Sequence, residues 1–255
     1  MASTDNIVSF DAIIPYHMKD APIIPFCVET LRGNTRGLRN IYILSQEEPE
    51  DVEGIIWVAE SAFPFSFEDV KQHIQSTNNR HGWYYQQLLK FYAYKVIPDI
   101  LPTILVIDSD VVIMRPIEFF KDGKILIDYG GLYVAEYFEH MRKLLPNVFE
   151  NTLKESGVTD CMVFVKDVLD DLFERVEKQH SAPLWKAMLA CVDPGNYNKS
   201  GMSEFEIYFQ FVLLYYPQMY ERRLLQKAYG TTMNNLRRTD VDFLSFHAWL
   251  RPDSE

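Results

Sequence analysis

Cysteine is scarce. The 255 residues hold three, Cys27, Cys161 and Cys191, too few and too scattered for a disulfide framework, and no CxxC or Cys/His cluster offers a zinc site. Long hydrophobic runs are missing as well. No segment supplies the ~20 apolar residues of a membrane span, and the polar residues 1–6 with the mixed stretch 7–16 lack the basic start of a signal peptide. The expectation is a soluble, cytoplasmic chain with no transmembrane segment. Positive charge is the third shortage: Lys plus Arg number 25 against 36 Asp plus Glu, a net charge of −11, and no basic run stands out. A nucleic-acid surface is therefore not expected. A phosphate-bearing ligand would need a local basic patch or a bound divalent cation. Repeats, low-complexity tracts and Gly/Ser linkers are also absent, so 1–255 reads as one continuous domain.

Apolar material, by contrast, is plentiful: hydrophobic residues make up 47%, with 17 Phe and 15 Tyr, enough to build a large core against chain entropy. Residues 10–15, 41–44 and 55–58 are compact apolar runs with polar residues after them, and each reads as a buried strand and its loop. Between the first two, Ile23, Phe26, Cys27 and Leu31 recur at helical spacing, with Gly33 as the expected stop. The pattern predicts a helix from 82 to about 97, ended by Pro98, then a strand over 103–107. Beyond it, strands are expected at 111–114, 125–127 and 161–165, a Lys-Asp-Gly-Lys turn at 121–124, and helices at 168–180 and 204–216. Alternating strands and helices predict an α/β fold with a mixed, mostly parallel central sheet flanked by helices. Trp57, Trp185 and the aromatic stripe over 205–216 read as core. His73, His81, His140 and His180 lack metal-like spacing.

The sharpest chemical feature is Ile104-Leu-Val-Ile-Asp-Ser-Asp110, two carboxylates two residues apart at the carboxyl end of an apolar strand, where ligands of open α/β sheets bind. Strand alternation sends i and i+2 to the same side, so Asp108 and Asp110 can converge on one cation, and hard oxygen ligands suit Mn²⁺ or Mg²⁺. The plainer alternative is an acidic strand-end turn.

With its strand, Asp108-Ser109-Asp110 resembles the DxD motif of GT-A fold glycosyltransferases, and two other segments agree. Asp11 to Asp20 is similar to the first strand and nucleotide loop of that superfamily, and Gly82 to Lys90 resembles the helix that faces the donor. The resemblance covers the chain in order and points to the small soluble bacterial or large-virus type. It implies a single GT-A, Rossmann-like domain with a nucleotide-binding half at about 1–115 and an acceptor half with a C-terminal closure at about 116–255. The implied activity is metal-dependent transfer of a sugar from a UDP- or GDP-sugar to a glycan or other acceptor hydroxyl, with Mn²⁺ (or Mg²⁺) held by Asp108 and Asp110.

Other residues take roles within that expectation. Pro15, Tyr16, His17, Lys19 and Asp20 offer an aromatic face, donors and a carboxylate to a base and ribose, or else form a polar surface loop. Gln87 and Lys90 share a helical stripe with Trp83 and Tyr94; they face the donor cleft or a solvated edge, with Arg80 within reach of the same anion. Ser109 lies between the paired carboxylates. Asp160 precedes a strand where related enzymes read sugar hydroxyls, and a carboxylate can accept two such bonds. Glu204 and Glu206 are the carboxylates available to take the acceptor's proton, although two acids at a helix start are also explained by its dipole. Near the end, Phe243-Leu-Ser-Phe-His-Ala-Trp-Leu-Arg-Pro252 resembles the His-then-basic-Pro closure of several GT-A families. It offers His247 as a third metal ligand and Arg251 as a phosphate clamp, with Trp249 in place of a later Trp.

Two rivals stand beside this reading. Residues 104–111 also fit the DxDx[TV] signature of haloacid-dehalogenase-type phosphatases, with Asp108 as nucleophile and Asp170-Asp171 as the late acidic pair. That signature normally ends the first strand of its domain, and here strands and a helix precede it. The other rival is a non-catalytic sugar-nucleotide-binding protein.

Overall fold

The computed structural model describes residues 7–150, 152–247 and 250–251. The chain opens with β1 (Phe10–Pro15), buried at all six positions and stopped by Pro15, whose ring removes the donor a longer ladder needs. It continues into α1 (Ile24–Asn34), which carries Pro25 in its first turn and buries Ile24, Cys27, Val28 and Leu31 at i, i+3, i+4 and i+7. Gly33 does not end this helix: the chain runs helical through Asn34 and leaves only where Thr35 turns extended.

β2 (Leu38–Ser45) and β3 (Ile56–Ala59) follow, then α2 (Phe67–His73), started by a Ser66–Asp69 capping box, and α3 (His81–Val96). β4 (Thr103–Ile107) brings the chain back to the sheet. After β5 (Val111–Ile113) comes a hairpin of β6 (Phe120–Lys121) and β7 (Lys124–Asp128), whose Asp122 and Gly123 both take positive φ, as a two-residue turn of this kind requires. Next are α4 (Ala135–Leu144), α5 (Pro146–Phe149), β8 (Cys161–Val165), α6 (Lys166–His180) and α7 (Leu184–Ala190). The last elements are α8 (Glu204–Tyr215), β9 (Tyr220–Arg223), β10 (Lys227–Tyr229) and β11 (Phe243–Ser245).

The central sheet runs β3-β2-β1-β4-β8, parallel at every pairing except the antiparallel β4–β8 edge. The fold is therefore mixed α/β with a mostly parallel sheet, as the alternation predicts. Two three-stranded sheets, β10-β11-β5 and β6-β7-β9, flank it. The expectation of a buried strand at 55–58 with Trp57 in the core fails. β3 is an edge strand paired only with β2, and it leaves Ile56 44% and Trp57 37% exposed. α3 packs on β1 and against α8, and α8 is buried at every position from Glu204 to Val212, so it presents no polar face. One hydrophobic cluster joins β1, α3, β4, β8 and α8, with Phe164 stacked on Phe91 and set 4.3 Å from Tyr208. Among the described residues, no helix is long and apolar enough to cross a membrane.

Candidate active site

Parallel pairing puts the carboxyl ends of β1, β2 and β4 on one side, and a cleft of about 1660 Å³ opens there. Its wall takes Pro15, Tyr16, His17, Lys19 and Asp20 from the loop after β1, and Asp108, Ser109 and Asp110 from the end of β4. Arg80, Gln87, Lys90, Asp160, Glu204 and His247 also line it. Residues dispersed from Pro15 to His247 thus share one cavity.

The innermost charges form a triad. The Lys90 ammonium lies 2.6 Å from Asp108 Oδ1 and 2.6 Å from Glu204 Oε1, with the Phe205 ring 4.2 Å below it. All three atoms sit where α3, β4 and the start of α8 meet. Gln86 Nε2 also donates to Asp108 Oδ1 at 3.3 Å, and Gln87 Oε1 accepts the Glu204 backbone N–H at 3.1 Å. Burial pushes the Asp108 carboxyl up to about 7; the Lys90 ammonium opposes this, while Asp110 and Glu204 add to it. Burial pulls Lys90 down, but the charges of Asp108 and Glu204 outweigh it and hold the ammonium protonated well above its usual range. Lys90 is thus a counter-ion to two carboxylates, not the free donor-facing cation that its stripe suggests.

A second contact brings the C-terminal strand to the turn after β4. β11 runs antiparallel to β5, with Ser245 opposite Val111, and the Phe246 N–H donates to the Asp110 carbonyl at 2.8 Å. That register sets His247 Nδ1 3.3 Å from Asp110 Oδ2. Burial lowers the basicity of His247, but the hydrogen bond and charge of Asp110, with Asp160 and Asp108 behind them, raise it overall. Asp160 lies alongside, since its carbonyl accepts the Asp108 N–H at 3.0 Å at the head of the β4–β8 ladder. Asp160 Oδ2 is buried and has no hydrogen-bond partner among the described residues. Among those residues, no three His, Cys, Asp or Glu side chains stand together as a preformed metal cage.

Several expected site residues have other employment. Asp20 is buried and accepts from Ser109 Oγ at 2.7 Å and from Arg251. His17 Nδ1 accepts the Lys19 N–H at 3.2 Å and starts the short turn that carries Asp20. Arg251 does not line the cleft: its guanidinium donates to the carbonyls of Phe246 and Lys19, each at 2.6 Å, and to Asp20. It clasps the first loop to the C-terminal segment, so the expected phosphate clamp is replaced by a structural one. Trp249 and Pro252 of that segment lie outside the described residues. Arg80 lines the cleft, donates to Ser200 and sits 5.0 Å from the Trp83 ring centre.

Glu206 is not on the cleft at all. It is fully buried on the opposite side of α8 and accepts from Ser156 Oγ at 2.5 Å, Gln210 Nε2 at 2.9 Å and the Gly157 N–H at 3.4 Å. A carboxylate so satisfied and so far from solvent has no route to an acceptor hydroxyl, which leaves Glu204 alone of the pair.

The cleft also holds residues that sequence reasoning passed over. Phe63, Phe65 and Phe67 line it together with Trp83, Tyr85 and Tyr137, and the every-second-residue spacing of the three Phe was a usable signal. Lys227 and Tyr229 line the far side, and no motif marks them.

A family model described as "Family of unknown function (DUF6492)" matches residues 33–253. No curated protein matches the chain in sequence. Among solved structures, that of mouse xyloside xylosyltransferase 1 in its apo form is similar over 94% of this chain and 98% of that one, with 12% identity and a TM-score of 0.46. The structure of the mannosyltransferase Ktr4p from S. cerevisiae is similar over 74% of this chain and 66% of that one, with 11% identity and a TM-score of 0.46. Neither likeness assigns a role to a residue.

Proposed function

Because the chain belongs to the DUF6492 family of unknown function, whose description names no reaction, we propose its function from the cleft itself: metal-dependent transfer of a sugar from a nucleotide-sugar to an acceptor hydroxyl, probed first with glycans. One observation carries this reading. Asp110 and His247, 137 positions apart, meet at 3.3 Å beside Asp108, on a cleft at the carboxyl end of a mostly parallel sheet.

Two carboxylates and an imidazole on one acidic wall have the ligand chemistry that suits a Mn²⁺ or Mg²⁺ ion, although among the described residues they do not stand together as a ready cage. Asp108, Asp110 and His247 would hold it, and when bound it supplies positive charge to the diphosphate leaving group. The protein's own residues do the rest. Lys90 fixes Asp108 and Glu204 and offsets their charge. Pro15, Tyr16 and His17 bound the end of the cleft that takes the nucleotide, UDP or GDP. Asp160 offers Oδ2 to sugar hydroxyls, and Glu204 is the carboxylate placed to receive the acceptor proton. On this reading residues 1–115 supply the nucleotide half and 116–255 the acceptor half with its C-terminal closure. Three buried free thiols, Cys27, Cys161 and Cys191, suit a cytoplasmic setting.

The phosphatase alternative gains no support. Its late acidic pair lies off the cleft. Asp170 and Asp171 lie on α6, bonded to Tyr94 at 2.8 Å and to Arg175 and Tyr216 at 2.8 and 2.9 Å. A screen of UDP- and GDP-sugars with Mn²⁺, read as donor hydrolysis and as thermal stabilisation, tests the proposal. Metal-dependent release of sugar from at least one donor is expected. Phosphate release from simple phosphomonoesters without any sugar-nucleotide dependence would favour the phosphatase, and no metal-linked response to any nucleotide would favour a scaffold.

A further inference from the structure

A nucleotide diphosphate entering this cleft meets Asp20, Asp108, Asp110, Asp160 and Glu204, so it needs a cation that is not already spent. The question rests on the glycosyltransferase reading above. Lys90 is enclosed between two carboxylates, Arg80 serves Ser200 and the Trp83 face, and Arg251 is consumed off the cleft by Lys19, Asp20 and Phe246. Lys19 also lines the cleft, exposed on the first loop, but it is not on the strand pair that leads to His247.

Lys227 differs from all of these. Along β10, Lys227 and Tyr229 project to the same side by strand alternation, and both line the cleft. β10 pairs with β11, Lys227 opposite Phe243 and Tyr229 opposite Ser245, and β11 pairs with β5, which begins directly after Asp110. The Tyr229 ring lies 5.2 Å from the imidazole of His247. One three-stranded sheet therefore presents Lys227, Tyr229, His247 and Asp110 to the same space.

The Lys227 side chain is 35% exposed, and its ammonium stops 3.8 Å from Asp160 Oδ2, beyond hydrogen-bond reach. That same oxygen is buried without a hydrogen bond among the described residues. Asp128, the other carboxylate near Lys227, is taken by Arg223 at 2.9 Å. A cation and an anion that face each other across an unmade bond on a ligand cleft are each open to a better partner.

We infer that Lys227 is the residue that receives the donor's diphosphate, its loose pair with Asp160, already proposed for the sugar hydroxyls, separating when the donor binds. Each ligand group then replaces the weak contact with a charge-assisted hydrogen bond.

Titration of the full chain with UDP, GDP, UDP-glucose and GDP-mannose, with and without Mn²⁺, tests the assignment. Lys227→Met should weaken metal-linked UDP or GDP binding about tenfold or more, and Lys227→Arg should recover most of it. Binding of Mn²⁺ alone, followed by electron paramagnetic resonance, should be the same in Lys227→Met as in wild type. Asp160→Asn should tighten the bare nucleotide a few-fold, because Lys227 loses a competing anion, and should abolish any extra affinity of nucleotide-sugar over nucleotide. Wild-type nucleotide affinity in a folded Lys227→Met variant, or weaker nucleotide binding in Asp160→Asn, overturns the assignment. A wild-type chain with no metal-linked nucleotide affinity overturns the glycosyltransferase reading and this assignment with it; a wild type that binds beside an unaffected Lys227→Met sinks the assignment alone.

Discussion

The two sides of the cleft treat their lysines in opposite ways. On the α3 side, Lys90 is buried and sits 2.6 Å from each of two carboxylates, while on the β10 side Lys227 is partly exposed and stands 3.8 Å from a carboxylate oxygen with no hydrogen bond. The first arrangement closes two ion pairs without a ligand, and Glu204 Oε1 has Lys90 as its partner there. The second leaves its pair open. Tightly paired charge shapes the wall, and loosely paired charge on the same wall is open to a ligand's groups.

The contrast breaks most visibly in stability. Lys90→Met leaves Glu204 buried and Asp108 partly buried without their counter-ion and should cost about 3–5 kcal/mol in urea unfolding. Lys227→Met removes one weak, part-exposed pair and should stay within about 0.5 kcal/mol of wild type. Equal losses for the two lysines would erase the distinction.

Next in size is a buried group that stays neutral. His140 lies on α4, its Nε2 donating to the Met188 carbonyl at 2.8 Å, and burial lowers it from 6.5 to about 4. Between those values the unfolded chain holds a proton that the native chain refuses, so stability falls as pH drops from 6.5 toward 4. The full loss from this residue is about 3 kcal/mol. Unfolding curves at pH 7 and pH 5 should diverge less in His140→Gln than in wild type; parallel behaviour would remove His140 from the acid limb.

The two glutamates of α8 sharpen the comparison within one helix. Glu206→Gln disturbs three buried hydrogen bonds and should cost about 1–3 kcal/mol while leaving nucleotide affinity alone. Glu204→Gln should reduce turnover about 100-fold with donor affinity changed only a few-fold. The reverse pattern in steady-state kinetics and titration would exchange their roles. Smallest is Arg251→Ala, which opens the clasp between the first loop and the C-terminal segment and should cost about 1–2 kcal/mol. A larger loss of diphosphate affinity than of stability would return Arg251 to the phosphate.

Much of this was legible from the residues. Four apolar positions running into Asp108-Ser-Asp110 announced both the strand and the ligand end of the sheet, because a buried parallel strand must be apolar until it leaves the core. Gln87 and Lys90 sat on one helical stripe, and His247 followed an apolar run that forms β11. Where pattern failed, the cause was tertiary. Glu204 and Glu206 stand two residues apart on a helix buried all round, so no polar face told which one meets the cleft. The exposure of Trp57 depends on β3 being an edge, which its own composition does not encode. Arg251 found backbone carbonyls 232 and five positions away, and Lys227 reached the cleft only because β10 pairs with β11.

Titration of UDP and GDP into wild type and Asp110→Ala by calorimetry, each with and without Mn²⁺, tests the central claim most directly. Asp110 lies in the turn between β4 and β5 and lines the cleft, so its loss should leave the melting temperature within a few degrees of wild type. The account predicts nucleotide affinity that rises with Mn²⁺ in wild type and shows no Mn²⁺ dependence in the folded variant. Unchanged Mn²⁺-linked affinity in a folded Asp110→Ala protein would contradict it.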